Sequence, residues 1–291
     1  MDLSVQLSSD TSRRGVLLCL LAMLVFAGQD AITKVLVQDL AVSQLLMVRY
    51  WVFAVFALGY AHYRGGLAKA VCSGQPRLQL LRSLLAVGEI ALFNLSLRYL
   101  ALAEAHALLA AFPLLAIALA GPVLGERVGW QRWLAVAVGF IGTLIILRPG
   151  LGVFKPEALI ALTAAFAFAI YNLLTRRVSR TDSFTTSTLY MALVGSVVAT
   201  SFGLSSWRPP APEQWYMLGI ISVTGILGHL LLVKALECTS ASTLQPFNYS
   251  LLVFATLFGV AFFGEFPDTG TLLGASVVIL SGLYAMSLRR G

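Results

Sequence analysis

The chain has 291 residues, of which 58% are hydrophobic and only 11% charged, against about 25% charged in soluble domains. A soluble fold of this length cannot hide so much apolar surface, so the solvent is lipid and the expected class is an all-α integral membrane protein. The formal charge of +7 does not indicate nucleic acid, because the basic residues are scattered at segment ends and form no basic domain.

Residues 1–13 open with MDLSVQLSSDTS and read as a short polar tail, since no small-residue cleavage site follows the first apolar run. Ten runs then have the length and apolarity of membrane spans: 14–36, 43–63, 79–99, 105–124, 131–148, 156–178, 184–204, 214–236, 241–263 and 270–288. They are long and uninterrupted, which predicts helices and not barrel strands. Proline and glycine cluster between them, in SGQP, RPGLG and WRPPAP.

Span 1 contains FAGQDAITK, residues 26–34. Helical neighbours lie three and four apart, so Phe26, Gln29, Asp30 and Thr33 share one stripe. An Asp facing lipid at a helix centre costs about 2.5–3.5 kcal/mol. The stripe is therefore expected to face a cavity or a hydrogen-bonded neighbouring helix. Span 2 carries Arg49. Asp30 and Arg49 both lie roughly 9 Å inside the same membrane face at ~1.5 Å per residue. They are expected to pair, either as a structural ion pair or as a gate.

Glu89 stands midway along span 3, with Phe93 and Ser96 on its face and Asn94 beside them. It reads either as a substrate-amine or proton-coupling group, or as a neutral acid hydrogen-bonded to a neighbouring helix. Span 4 carries His106 and, two turns on, Pro113; it ends at Gly125-Glu126. Proline removes a backbone donor and frees a carbonyl, which serves either a site or a packing kink. Span 6 repeats the first stripe as Phe168, Tyr171, Asn172 and Thr175. His229 in span 8 is a cavity donor or a helix-packing histidine. In span 9, Gln245, Asn248, Tyr249 and Leu252 fall at i, i+3, i+4 and i+7 around Pro246, and the span closes at Gly264-Glu265. Amide side chains beside freed backbone suit the carboxylate and ammonium of a zwitterion.

The two stripes are offset by 142 residues, YLALAEA (99–105) and ALECTSA (235–241) by 136, and the two Gly-Glu pairs by 139. Such drift is what a duplication with small insertions leaves. The predicted halves are 14–148 and 156–288, joined by a linker at 149–155 and followed by a tail at 289–291. Five spans separate equivalent positions, so the halves cross in opposite directions. The loop GERVGWQR is basic and its counterpart GEFPDTG has no Lys or Arg, as inversion requires. Of the 20 Lys and Arg, 14 fall on the side of the termini and 5 on the other, with Arg49 inside a span. This bias puts both termini in the cytoplasm. Trp130 and Trp133 on one side and Trp207 and Trp215 on the other suit interfacial belts.

Two five-span halves, Arg49 in the second span, Pro113 and Pro246 in the fourth and ninth, and Gly-Glu closing each of those spans are carried over nearly the whole chain. In these features it resembles the drug/metabolite transporter superfamily, EamA type, and most of all the bacterial aromatic amino acid exporters of the inner membrane. The resemblance implies a central cavity lined by spans 1, 3, 4, 6, 8 and 9, with spans 5 and 10 peripheral. One departure is that the position matching Arg49 in the second half is Met191.

The expected function is a secondary transporter that exports small neutral solutes, aromatic or hydrophobic amino acids first, by alternating access. Other amphipathic metabolites or drugs are the alternative. Only Arg49 is clearly embedded, with Lys34 and Lys234 near span ends, whereas phosphorylated solutes want two or more cations. There is no Walker loop, HExxH or GxSxG. Cys19, Cys72 and Cys238 are dispersed, as are His62, His106 and His229, so neither a disulfide framework nor a metal site is expected. No cofactor and no nucleic acid partner follows, and His106 and His229 have no Ser or Asp constellation for an intramembrane enzyme. The partners are the bilayer and the solute. Gly121–Gly125 and Gly270–Gly274 match GxxxG and read as close packing, so no oligomer is required.

Overall fold

The computed structural model describes residues 3–125, 128–148, 155–239 and 241–288, with side chains from residue 13 onward except at 241, 242 and 245. Glu126, most of the 149–155 linker and the Gln245 side chain therefore lie outside the described residues.

Thirteen helices follow in chain order among the described residues: α1 (Leu3–Asp39), α2 (Val42–Tyr63), α3 (Leu67–Val71), α4 (Pro76–Ser96), α5 (Leu102–Leu109), α6 (Phe112–Leu124), α7 (Trp130–Leu147), α8 (Ala158–Val178), α9 (Phe184–Gly203), α10 (Pro212–Cys238), α11 (Ala241–Asn248), α12 (Ser250–Phe263) and α13 (Thr269–Ser287). They supply ten segments long and apolar enough to cross a membrane, matching the ten expected spans. Span 1 runs on to Asp39, three residues beyond its expected end, and the short α3 was not foreseen.

The fourth and ninth spans are each broken in two. Pro113 occupies the first turn of α6, where a missing amide is tolerated, and the chain turns at Ala110 and Ala111 just before it. Pro246 lies inside α11, and the helix breaks at Tyr249, whose amide bonds Pro246 O at 3.3 Å. Both second segments stop the same way. Gly125 (φ 70°) and Gly264 (φ 65°) take the left-handed conformation that glycine adopts without a Cβ penalty.

In lipid, helices associate by close packing, so small residues face inward and large apolar ones face the bilayer. Ala161, Ala164, Ala165 and Ala169 are buried on one side of α8, while Leu17, Val55, Phe140, Val197 and Phe262 are exposed on the outside. A Cβ built on Gly274 would stand 2.6 Å from Gly142 O, so the backbones of α13 and α7 touch. This is the close packing read from the GxxxG match at Gly270–Gly274. The main helix pairs join one half to the other: α1 along α10, α8 along α4, α2 along α9, and α7 along α13. Exchanging the halves turns the first pair into the second and leaves the other two unchanged.

We term the side where α1 enters the near face and the side where it leaves the far face. Across the near face, Asp182 accepts bonds from Ser73 Oγ (2.5 Å), the Gly74 amide (2.8 Å) and Gln79 Nε2 (2.8 Å). Across the far face, the Gln44 amide bonds both backbone groups of Arg208, at 2.7 and 3.0 Å. The Asp182 clasp fixes the entry to α4, and the Gln44 clasp fixes the entry to α10. These are the two helices that flank the centre of the protein in opposite halves.

Candidate functional site

A cavity of about 170 Å³ lies between α1, α2, α4, α9 and α10. Helix α10 presents Ser222, Gly225, Ile226 and His229 to it, at i, i+3, i+4 and i+7 on one face. Helix α2 contributes Arg49, Tyr50 and Phe53, α1 contributes Phe26, α4 Ile90 and α9 Met191. Of the expected lining spans, 1, 3 and 8 line it and 4, 6 and 9 do not, while spans 2 and 7 were not expected. Both line it, because α2 packs against α9 and the Tyr50 ring lies on α9 where Gly195 leaves room for it.

Polar atoms are left over around this space. Arg49 Nη1, Tyr50 Oη, His229 Nε2 and Gln29 Oε1 are buried with no hydrogen-bond partner among the described residues. The first three belong to lining residues. Gln29 Oε1 comes within 3.0 Å of where a Cβ on Gly225 would stand, with Arg49 Nη2 3.5 Å from the same point. The His229 ring stacks on Phe184, centroids 5.5 Å apart. Buried polar groups without partners are few in native proteins, and each costs about 1–3 kcal/mol.

Two acids stand near Arg49. Glu89 and Asp30 are both buried, and both interact electrostatically with Arg49. The expected direct Asp30–Arg49 pair is not formed. Asp30 Oδ2 lies 3.2 Å from His106 Nε2, at ion-pair distance but without hydrogen-bond alignment. Span 4 begins at Leu102, which brings His106 into α5 one turn into the helix and against α1. Phe93 packs edge-on against His106 at 4.9 Å, so α1, α4 and α5 meet at one buried point. Depth alone suggested Arg49 as the partner; the broken fourth span supplies a nearer one.

The remaining expected residues separate into groups. Asn94 is buried and its Nδ2 has no partner, but it does not line the cavity. Tyr171 stacks on Phe168 at 5.9 Å and faces Arg82, whose guanidinium sits 5.4 Å from its ring. Asn172 donates to Phe168 O of its own helix (2.7 Å). Asn248, Tyr249, His106 and Pro113 surround a second space of about 40 Å³ where the two helix breaks face each other. Pro246 is exposed. Asn248 Oδ1 accepts from Cys19 Sγ at 3.5 Å.

Three features were not read from the sequence. Arg82 is buried and bonds Ser187 O (2.6 Å), Tyr171 Oη and Thr175 Oγ1 (both 3.4 Å). The polar run Gln79, Arg82, Ser83 at i, i+3, i+4 was the signal for it. Lys34 is buried as well, 2.8 Å from Glu265 Oε1 and 2.5 Å from Leu100 O, while Glu265 Oε2 takes the Leu102 amide at 3.0 Å. The second Gly-Glu pair thus anchors the far ends of α1 and α5. The Ser222–Gly225–His229 face of α10 is the third. Among the described residues, no group of three or more His, Cys, Asp or Glu is placed to hold a metal.

The model of the family described as "EamA-like transporter family" matches residues 13–148 and again residues 155–288. The S-adenosylmethionine uptake transporter of Rickettsia prowazekii (strain Madrid E) is 27% identical over 274 residues, 94% of this chain and 92% of that one. The riboflavin transporter of Vibrio cholerae is 32% identical over 272 residues, covering 92% and 91%. The pseudopaline exporter CntI of Pseudomonas aeruginosa (strain UCBPP-PA14) is 24% identical over 284 residues, covering 97% and 99%. A solved crystal structure 17% identical to this chain superposes with a TM-score of 0.62 over 95% of it, and shares the fold.

Proposed function

The chain belongs to the EamA-like transporter family, and from that premise we propose that it is a secondary transporter of small zwitterionic solutes bearing an amino-acid group on a flat or apolar body. Aromatic and hydrophobic amino acids are the simplest such solutes, and export across the inner membrane, with both termini in the cytoplasm, is the proposed direction. The observation that carries this reading is the cavity. Arg49 and His229 line it with unpartnered nitrogens, Phe26, Tyr50 and Phe53 give it aromatic walls, and the acids Glu89, next to the lining residue Ile90, and Asp30 are near enough to act on Arg49. A carboxylate takes the donors, an ammonium takes Glu89 and Asp30, and Phe26, Tyr50 and Phe53 cover the body. Phosphorylated solutes fit less well, because the other buried cations are engaged: Lys34 with Glu265 and Arg82 with Ser187, Tyr171 and Thr175.

Alternating access follows from two inverted halves rocking around this site. The matched helix pairs support that repeat. In such a cycle the ties at the two faces break in turn. Opening the far face separates Lys34 from Glu265, and opening the near face separates Arg82 from Ser187 and α8.

Proteoliposomes loaded with unlabelled phenylalanine, tyrosine or tryptophan test the proposal. Counterflow of the labelled amino acid supports it. S-adenosylmethionine and riboflavin are run alongside, because the relatives named for them are of similar length. Movement of riboflavin with none of any amino-acid-bearing solute overturns the solute class. Growth protection against toxic amino-acid analogues on overexpression reads the direction; sensitisation overturns export.

A further inference from the structure

We propose that Gly225 holds open the carboxylate end of the site, so that solutes enter with the carboxylate between Arg49 and α10 and the ammonium toward α4 and α1. The inference rests on the amino-acid reading above and assigns the orientation within it.

Arg49 is the embedded guanidinium with an unmade bond, and a guanidinium fork matches a carboxylate in two parallel bonds. No carboxylate among the described residues lies at ion-pair distance from it, although Glu89 and Asp30 are near enough to act on it. Its Nη2 comes close to α10 at Gly225, where a Cβ would stand 3.5 Å from it and 3.0 Å from Gln29 Oε1. Any side chain there occupies the space beside the fork. One turn on, His229 offers a buried Nε2 with no partner. One turn back, Ser222 spends its proton on Leu218 O (2.7 Å), which leaves its oxygen as an acceptor only. The α10 wall thus offers a gap flanked by one further nitrogen. The acids belong to the other helices: Glu89 on α4, next in the chain to the lining residue Ile90, and Asp30 on α1, held against His106. An ammonium directed toward α4 and α1 therefore leaves the carboxylate for Arg49 and α10.

Gly219 is the control on the same helix, because a Cβ there meets nothing within 4 Å. Binding to purified protein is measured calorimetrically for phenylalanine, phenylalaninamide (no carboxylate) and 3-phenylpropionate (no ammonium). Wild type is expected to bind phenylalaninamide at least about tenfold more weakly than phenylalanine, the cost of one charge-assisted contact. Gly225→Ala is expected to weaken phenylalanine by about tenfold and to leave phenylalaninamide within about twofold. Gly219→Ala changes neither. Arg49→Lys keeps the charge and loses the fork, so it retains part of the preference; Arg49→Gln removes it. If Gly225→Ala does not fold, the wild-type ratio and the two Arg49 variants carry the test. Equal affinity of wild type for acid and amide overturns the inference, as does equal weakening of both by Gly225→Ala. A wild type that binds none of the three compounds while transporting another solute overturns the amino-acid reading, and the inference with it.

Discussion

On α1, Asp30 lies against His106 and Gln29 reaches toward Gly225; on α8, Asn172 bonds its own backbone and Tyr171 turns to Arg82. Matching the halves at the offset of 142 sets Asp30 against Asn172 and Arg49 against Met191, and the offset of 136 sets Glu89 against Gly225. At each position the first half is charged and the second neutral. The scaffolds nevertheless agree: both fourth spans are broken, both end on a left-handed glycine, and the helix pairs exchange. Rocking motion needs the shared scaffold, whereas a solute with distinct ends needs walls that differ. On the proposed function, symmetry serves the first requirement and its loss at three central positions serves the second.

Making the halves alike at those positions breaks the comparison. Arg49→Met installs the residue of the second half. Truncating one partner of a buried, hydrogen-bonded charge pair costs about 2–5 kcal/mol, so counterflow is expected to fall by about 30-fold or more. A thermal scan of the variant runs alongside, because the buried acids Glu89 and Asp30 lose the cation that acts on them. A fully active Arg49→Met removes the central role of this residue. Asp30→Asn is expected to be milder, about 5- to 100-fold, because it leaves His106 facing an amide and Glu89 as the remaining acid. Glu89→Gln on top of it should cost less than the product of the two single effects if both acids face one ammonium. Strict additivity means that they act separately.

The ten spans, the lipid-facing class and the Gly-Glu pairs that close the fourth and ninth spans were legible in the sequence, and the prolines marked the places where those two spans break, although they were read as freed carbonyls or kinks within continuous helices. Each follows from a local rule: run length, a proline, or a glycine after an apolar run. The partners of buried charges were not legible. Asp30 was matched with Arg49 by depth, but depth fixes one coordinate and leaves the direction around the helix free. The α5 helix, entering from the broken span, puts His106 on the side of Asp30. Arg82 looked like a cytoplasmic end charge because it falls near the start of its span. In the fold that turn of α4 is covered by α8 and α9, so the side chain is buried. Gly225 carried no signal as a glycine; its meaning comes from α1 and α2 approaching it.

The two clasps sharpen the comparison with a smaller effect. Asp182 on the near face and Gln44 on the far face do the same work, one with a carboxylate and one with an amide. Partial burial of the Asp182 carboxyl opposes its ionisation, but bonds from Ser73, Gln79, the Gly74 amide and Thr181 outweigh that and hold it below the usual carboxylate range. A carboxyl with a lowered folded value stabilises above its unfolded value, near ~3.9, and loses that contribution as pH falls through the folded value. Asp182→Asn is therefore expected to lower the melting temperature by a few degrees at pH 7, and the gap to wild type should close as the pH drops below about 4. Gln44→Ala is expected to lower it by a similar amount with no such pH dependence, because an amide does not titrate. Thermal scans of both variants in the same detergent across that range separate the two faces. A gap for Asp182→Asn that stays constant down to the lowest pH means that the near-face clasp is held by shape alone, and that the two faces differ in residue type without differing in chemistry.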